Sequence, residues 1–122
     1  MLNLPPAIRI WLSAQPVDLR KSFDSLAEVV RTHLRGDPLS GHLFVFRNKC
    51  GDRLKLLYWD EDGYVIVYKR LEAGCFRFPV VAADVPSVAI RAADLLMLLD
   101  GVDLATVRRG RRYRRQPTGQ PA

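Results

Sequence analysis

The stretch RLKLLYWDEDGYVIVYKRL, residues 53–71, decides the fold. Two runs rich in β-branched, aromatic and aliphatic residues flank DEDG, the composition of a tight turn between two strands. Taking Asp62-Gly63 as the turn sets Trp59 opposite Ile66, Leu57 opposite Tyr68 and Lys55 opposite Arg70. The reverse side then sets Tyr58 opposite Val67, Leu56 opposite Lys69 and Leu54 opposite Leu71. The preceding run HLFVFR joins through the loop NKCG. Side chains alternate across a strand, so the ribbon sorts into two faces. One carries Leu43, Val45, Leu54, Leu56, Tyr58, Val65, Val67 and Leu71, and is expected to meet the helices. The other carries Phe44, Phe46, Arg53, Lys55, Leu57, Trp59, Ile66, Tyr68 and Arg70.

That second face mixes rings with cations. Rings stack on bases and cations meet phosphates, so Arg53, Lys55, Trp59, Tyr68 and Arg70 are candidate nucleic-acid contacts. The same residue types are enriched in protein interfaces, which leaves a protein partner open. A further layer of this chain could also cover the rings while the Arg and Lys stems reach out at the edge.

Outside the ribbon the periodicity changes. AIRIWLS, 7–13, alternates as a strand until Pro16. Phe23, Leu26, Ala27, Val30 and Leu34 form one stripe of a helix, capped by Asp18 or Ser22 and stopped at Gly36 and Pro38. CFRF, 75–78, reads as a fourth strand of the meander, and a further strand is expected near 86–90. AADLLMLLDG reads as a second helix with Ala92, Leu95, Leu96 and Leu99 inward. The expected class is α+β: an antiparallel meander of five to six strands with two helices packed on one face.

The charge is uneven. The chain has 122 residues and a net charge of +6, but RRGRRYRR at 108–115 holds six arginines and no acid. Without them the 19 basic residues fall to 13, equal to the acidic ones. We expect one domain over 1–107 and a disordered Arg-rich arm over 108–122, which cannot bury enough apolar surface to fold alone. Arg108, Arg109, Arg111, Arg112, Arg114 and Arg115 would attract a polyanion, nucleic acid first, because guanidinium pairs bidentately with phosphate. No apolar run approaches a membrane span and no signal peptide is expected at the start. Cys50 and Cys75 are expected as free thiols in a reducing cytoplasm.

No catalytic motif emerges. His33 and His42 lack ligand spacing, and C-x-x-C, H-E-x-x-H, a Walker loop, G-x-G-x-x-G and G-x-S-x-G are all missing. DEDG lacks the twelve-residue calcium-loop pattern. A metal-dependent nuclease would have little beyond Asp24 and Asp60 to use. Asp18, Arg20, Lys21 and Asp24 gather at one helix start, as a local ion-pair network or a phosphate site. No cofactor, metal or small-molecule substrate is expected, and the protein is read as a non-enzyme.

DLRKSFDSLAEVV, DPLSGHLFVFRNKCGDRLKLLYWDEDGYVIVYKRLEAGCFRFP and DLLMLLDGVDL, in that order, resemble the TnpB-type accessory proteins made from the second reading frame of IS66-type bacterial insertion sequences. In the family block D-x-R-K-G-hydrophobic-D-G-L, Asp18, Arg20, Lys21, Asp24 and Leu26 match, while Ser22 and Ser25 stand where the family has glycines. Arg91 stands where the family has a Ser or Thr cap. The resemblance implies a protein of DNA transposition that works beside a larger transposase. DNA and that transposase are the expected partners, alone or together, and a pure protein adaptor without DNA contact is the alternative.

Overall fold

The computed structural model of the chain describes residues 7–82 and 84–100. Its strands are β1 (Ile10–Ser13), β2 (Leu43–Arg47), β3 (Arg53–Asp60), β4 (Gly63–Arg70) and β5 (Ser87–Ile90), and its helices are α1 (Phe23–Val29) and α2 (Ala92–Leu99). The strands form one sheet in the order β4-β3-β2-β1-β5. The α+β class holds.

Three details differ from the expected meander. First, β1 runs parallel to β2, with Ile10 opposite Leu43 and Leu12 opposite Val45. The β1–β2 connection contains α1 and is long enough to cross over the sheet, which parallel neighbours require. Second, CFRF is not a strand. After β4 the chain leaves the sheet edge, the Leu71 N–H bonding the Asp52 carbonyl at 2.8 Å and the Phe76 N–H the Gly51 carbonyl at 2.8 Å. Phe76 is thereby inserted into the core, and the Arg47 guanidinium lies 5.1 Å over the Phe78 ring. The last strand is instead β5, antiparallel to β1.

Third, the helices pack on opposite faces. Leu95, Leu98 and Leu99 of α2 close over Ile10, Leu12, Leu43, Val45, Leu54 and Leu56. Leu26, Ala27, Val29 and Val30 of the α1 segment close over Phe44, Phe46 and Leu57. The ring-bearing face contains a purely apolar patch, and the stripe of α1 has no better place to bury itself. Within α2, Leu98 takes the inward position expected of Leu96, which is exposed.

The hairpin turn also moves by one residue. Asp60 pairs with Gly63 and Trp59 with Tyr64, so Glu61-Asp62 form the loop. Glu61, not glycine, takes the left-handed conformation at φ 56°. Moving a two-residue turn by one position shifts the register by two, so both faces keep their expected residues. Gly36 has a different job from the one its position suggests. Helical turns continue past α1 over Val30–Leu34, and the left-handed residue that ends them is Arg35, at φ 58°. Gly36 sits so close to Phe44 that an added Cβ would lie 3.2 Å from the ring.

At both helix starts the side chain three residues in accepts the N-cap N–H. The Ser22 N–H donates to Ser25 Oγ at 2.9 Å, so the cap that closes this start is the side chain of Ser25. At α2 the Arg91 N–H donates to the Asp94 carboxylate at 3.2 Å, and the Arg91 guanidinium donates to the same group. These hydrogen bonds hold the Asp94 carboxyl below the usual carboxylate range. Lys69 Nζ donates to the Leu99 carbonyl at 2.6 Å and closes the far end of α2.

Candidate functional site

The ring-and-cation face is divided by α1. Phe44, Phe46 and Leu57 are sealed beneath the helix. Beyond its cover, toward the sheet edge and the Arg53 end of the hairpin, lie Arg53, Tyr68 and Arg70, all exposed. Tyr68 is 49% exposed. Its hydroxyl accepts a hydrogen bond from Arg53 Nη1 at 3.2 Å. Trp59 and Tyr64, at the opposite end of the hairpin, are half-buried and meet edge-on with ring centroids 5.1 Å apart. Tyr64 was not expected in this set, because an Asp62-Gly63 turn places it beside the loop. Its even-numbered alternation with Ile66 and Tyr68 was the available signal.

Lys55 is not presented to solvent. It is 8% exposed, and its ammonium donates to the Lys21 carbonyl at 2.8 Å. The same ammonium lies 4.7 Å over the Tyr68 ring. Lys55 therefore ties the loop before α1 to the sheet and holds one side of the tyrosine. The lysine thereby gives the carbonyl of Lys21, just before the N-cap of α1, a hydrogen-bond partner.

Arg53 and Arg70 face each other directly on β3 and β4. The Leu71–Asp52 bond lies in the same register and fixes the alternation of the ladder. It makes Arg53–Arg70 a non-hydrogen-bonded pair, the type in which side chains approach most closely. Like charges directly opposite each other destabilise a sheet. Glu72 relieves only part of this, through an exposed ion pair with Arg70 at 3.0 Å. Among the described residues, the strip therefore has an unneutralised guanidinium beside an open ring.

The family-block residues lie on the approach to α1. Asp18 accepts hydrogen bonds from the Arg20 guanidinium, the shortest at 2.7 Å, and from the Arg20 backbone N–H at 3.0 Å. The guanidinium bonds first, and that N–H second, hold its carboxyl well below the usual carboxylate range. The pair is a local turn lock between two exposed side chains, and neither Lys21 nor Asp24 forms an ion pair with it. It borders an open groove of about 460 Å³ that Lys49 and Asn48 line from the β2–β3 loop. Lys21 contributes its carbonyl to Lys55, and Asp24 is exposed in the first turn of α1. Phe23, expected in the inward stripe, is 45% exposed at the head of the helix.

The arginines of 108–115 lie outside the described residues. Among the described residues, no group of three or more His, Cys, Asp or Glu side chains could hold a metal ion. His42 instead accepts the Arg9 backbone N–H on Nδ1 at 3.0 Å. Cys50 and Cys75 are free, and Cys75 donates to the Cys50 carbonyl at 3.3 Å. No helix among the described residues is long and apolar enough to cross a membrane.

Comparison with known proteins defines the class. The family described as IS66 Orf2-like protein matches residues 8–109, which spans every element of the sheet and both helices. The chain belongs to this family, whose members are insertion-sequence accessory proteins. It is 36% identical to the uncharacterized protein y4jC of Sinorhizobium fredii over 89% of its own length and 92% of that protein's. It is 40% identical to y4hO of the same organism, likewise described as uncharacterized, over 84% and 88% of the two chains. No solved structure matches.

Proposed function

We propose that this accessory protein acts without catalysis, by contacting DNA at the strip Arg53–Tyr68–Arg70. The observation that carries the reading is the facing Arg53–Arg70 pair beside an exposed ring. Within the fold that pair is unfavourable, and a bound phosphate between the guanidinium groups would reverse its sign. Tyr68 is fixed by Arg53 and Lys55, so its open side is available to a base at little entropic cost. Lys55 positions the ring and makes no direct contact with the nucleic acid. The arginines of 108–115 add a second, sequence-independent hold on the same polyanion.

The test is a titration of DNA at several salt concentrations with the full chain, Arg53→Ala, Arg70→Ala and a variant lacking 108–122. Each strip variant is expected to weaken binding and to make the log–log salt slope shallower by about one. Deletion of the arm is expected to reduce the slope by several. Salt-independent binding, or an affinity indifferent to both arginines, overturns the reading.

The exposure of Phe23 and Tyr68 favours a second reading, an adaptor that docks the larger transposase of the same element. Loss of transposase capture by Tyr68→Ala or Trp59→Ala with unaltered DNA affinity would select it.

A further inference from the structure

The two edges of the sheet are built differently. β5 has four residues and follows Pro86, the short form that natural edges take to avoid pairing. β4 has eight, pairs with β3 over its whole length without a bulge, and contains no proline. Its middle, Tyr64-Val65-Ile66-Val67, is half-buried and uncharged. Its charges lie only at the ends: Glu61 and Asp62 in the turn, Lys69 and Arg70 at the other end.

The direction of its free groups follows from the ladder. With Leu71 bonded to Asp52, the main chain of Gly63, Val65, Val67 and Lys69 faces β3. The N–H and C=O groups of Tyr64, Ile66, Tyr68 and Arg70 therefore face away from the sheet, with no hydrogen-bond partner among the described residues. A long, unbulged edge of this kind with an apolar middle is a template for another strand.

We infer that β4 pairs antiparallel with β4 of a second copy, about a two-fold axis at Ile66. The charges select the partner and disfavour one of the neighbouring registers. A strand acidic at one end and basic at the other is complementary to itself when reversed. Centring on Ile66 sets Tyr64 opposite Tyr68, Val65 opposite Val67 and Asp62 opposite Arg70. Moving the axis to Val67 would set Asp62 against Glu72, two like charges. The dimer sheet has ten strands, and its two Arg53–Tyr68 strips lie on one continuous face. The inference stands on the edge alone and does not depend on DNA binding.

The experiment is sedimentation of the full chain over about a hundredfold range of concentration, with amide exchange read at Tyr64, Ile66 and Tyr68. Twice the protomer mass, and protection of these amides that rises with concentration, are expected. Ile66→Pro removes an outward-facing N–H and leaves the ladder to β3 intact, and should weaken association about tenfold or more. Because the loss of the Ile66 side chain also disturbs packing, charge reversal supplies a second arm. Arg70→Asp should weaken the dimer about fivefold, and Asp62→Arg combined with Arg70→Asp should restore it. A monomer at every concentration overturns the inference, whether the amides are unprotected or are covered by residues 101–122 of the same chain. So does a dimer indifferent to Ile66→Pro and to charge reversal.

Discussion

The two faces of the β2–β3–β4 ribbon received the same kind of cover and ended differently. Under α2 the sheet offers Leu43, Val45, Leu54 and Leu56, and the helix meets them with three leucines. Under α1 the sheet offers Phe44, Phe46 and Leu57, but the same alternation also brings Arg53, Lys55, Tyr68 and Arg70. The helix seals the first group and stops short of the second. One buried lysine marks the boundary, its ammonium directed into the carbonyl of Lys21. A sheet face is thus a composite: its apolar part becomes core, and what the helix leaves uncovered is available for contact.

The strongest way to break this comparison is to test the part of the ring-bearing face that the structure places in the core. Phe46→Ala should cost about 3–5 kcal/mol in urea denaturation, the value for a buried ring and not for a docking residue. A loss below about 1 kcal/mol would mean that α1 does not seat there.

The boundary comes next. Lys55→Met keeps the stem and removes the charged donor, leaving the Lys21 carbonyl unpaired. A loss of about 1–3 kcal/mol is expected by the same measurement. Tyr68→Phe in the same background should add little, since that hydroxyl bonds only the exposed Arg53 guanidinium.

On the α2 side, Asp94→Asn weakens the bonds that Asp94 accepts from Arg91 at the helix start and should cost about 1 kcal/mol. Its folded carboxyl is held below the ordinary value of 3.8. The stabilisation is thus complete above that value and is lost as pH falls through the lower folded one. In the variant, acid unfolding should lose this component below pH 3.8 while neutral-pH behaviour shifts uniformly.

The smallest effect on stability is the most informative. Arg53→Ala and Arg70→Ala should each change it by less than about 0.5 kcal/mol, with Arg70→Ala tending to stabilise through relief of the facing cations. A large loss from either would make the strip structural and remove its claim to a ligand.

Much of this was legible in the residues. The hairpin, the membership of its two faces, the two helices and the strand at 87–90 all follow from periodicity. The faces survived the displacement of the turn because register errors of two residues are silent to alternation. The CFRF segment misled because its alternation is real, yet it reflects Phe76 entering the core from a crossing chain. The candidate strip was half visible: Arg53, Tyr68 and Arg70 were placed together, whereas the withdrawal of Lys55 was not, because nothing local distinguishes a lysine that bonds a remote carbonyl from one that reaches solvent.

The sequence by itself determined which side chains share a face, since a period of two needs no knowledge of neighbours. Only the tertiary structure decided that β1 lies parallel to β2, that each helix takes its own side, and how far α1 extends its cover. Those outcomes depend on where a remote apolar stripe finds the largest dry surface, and that is a property of the assembled sheet.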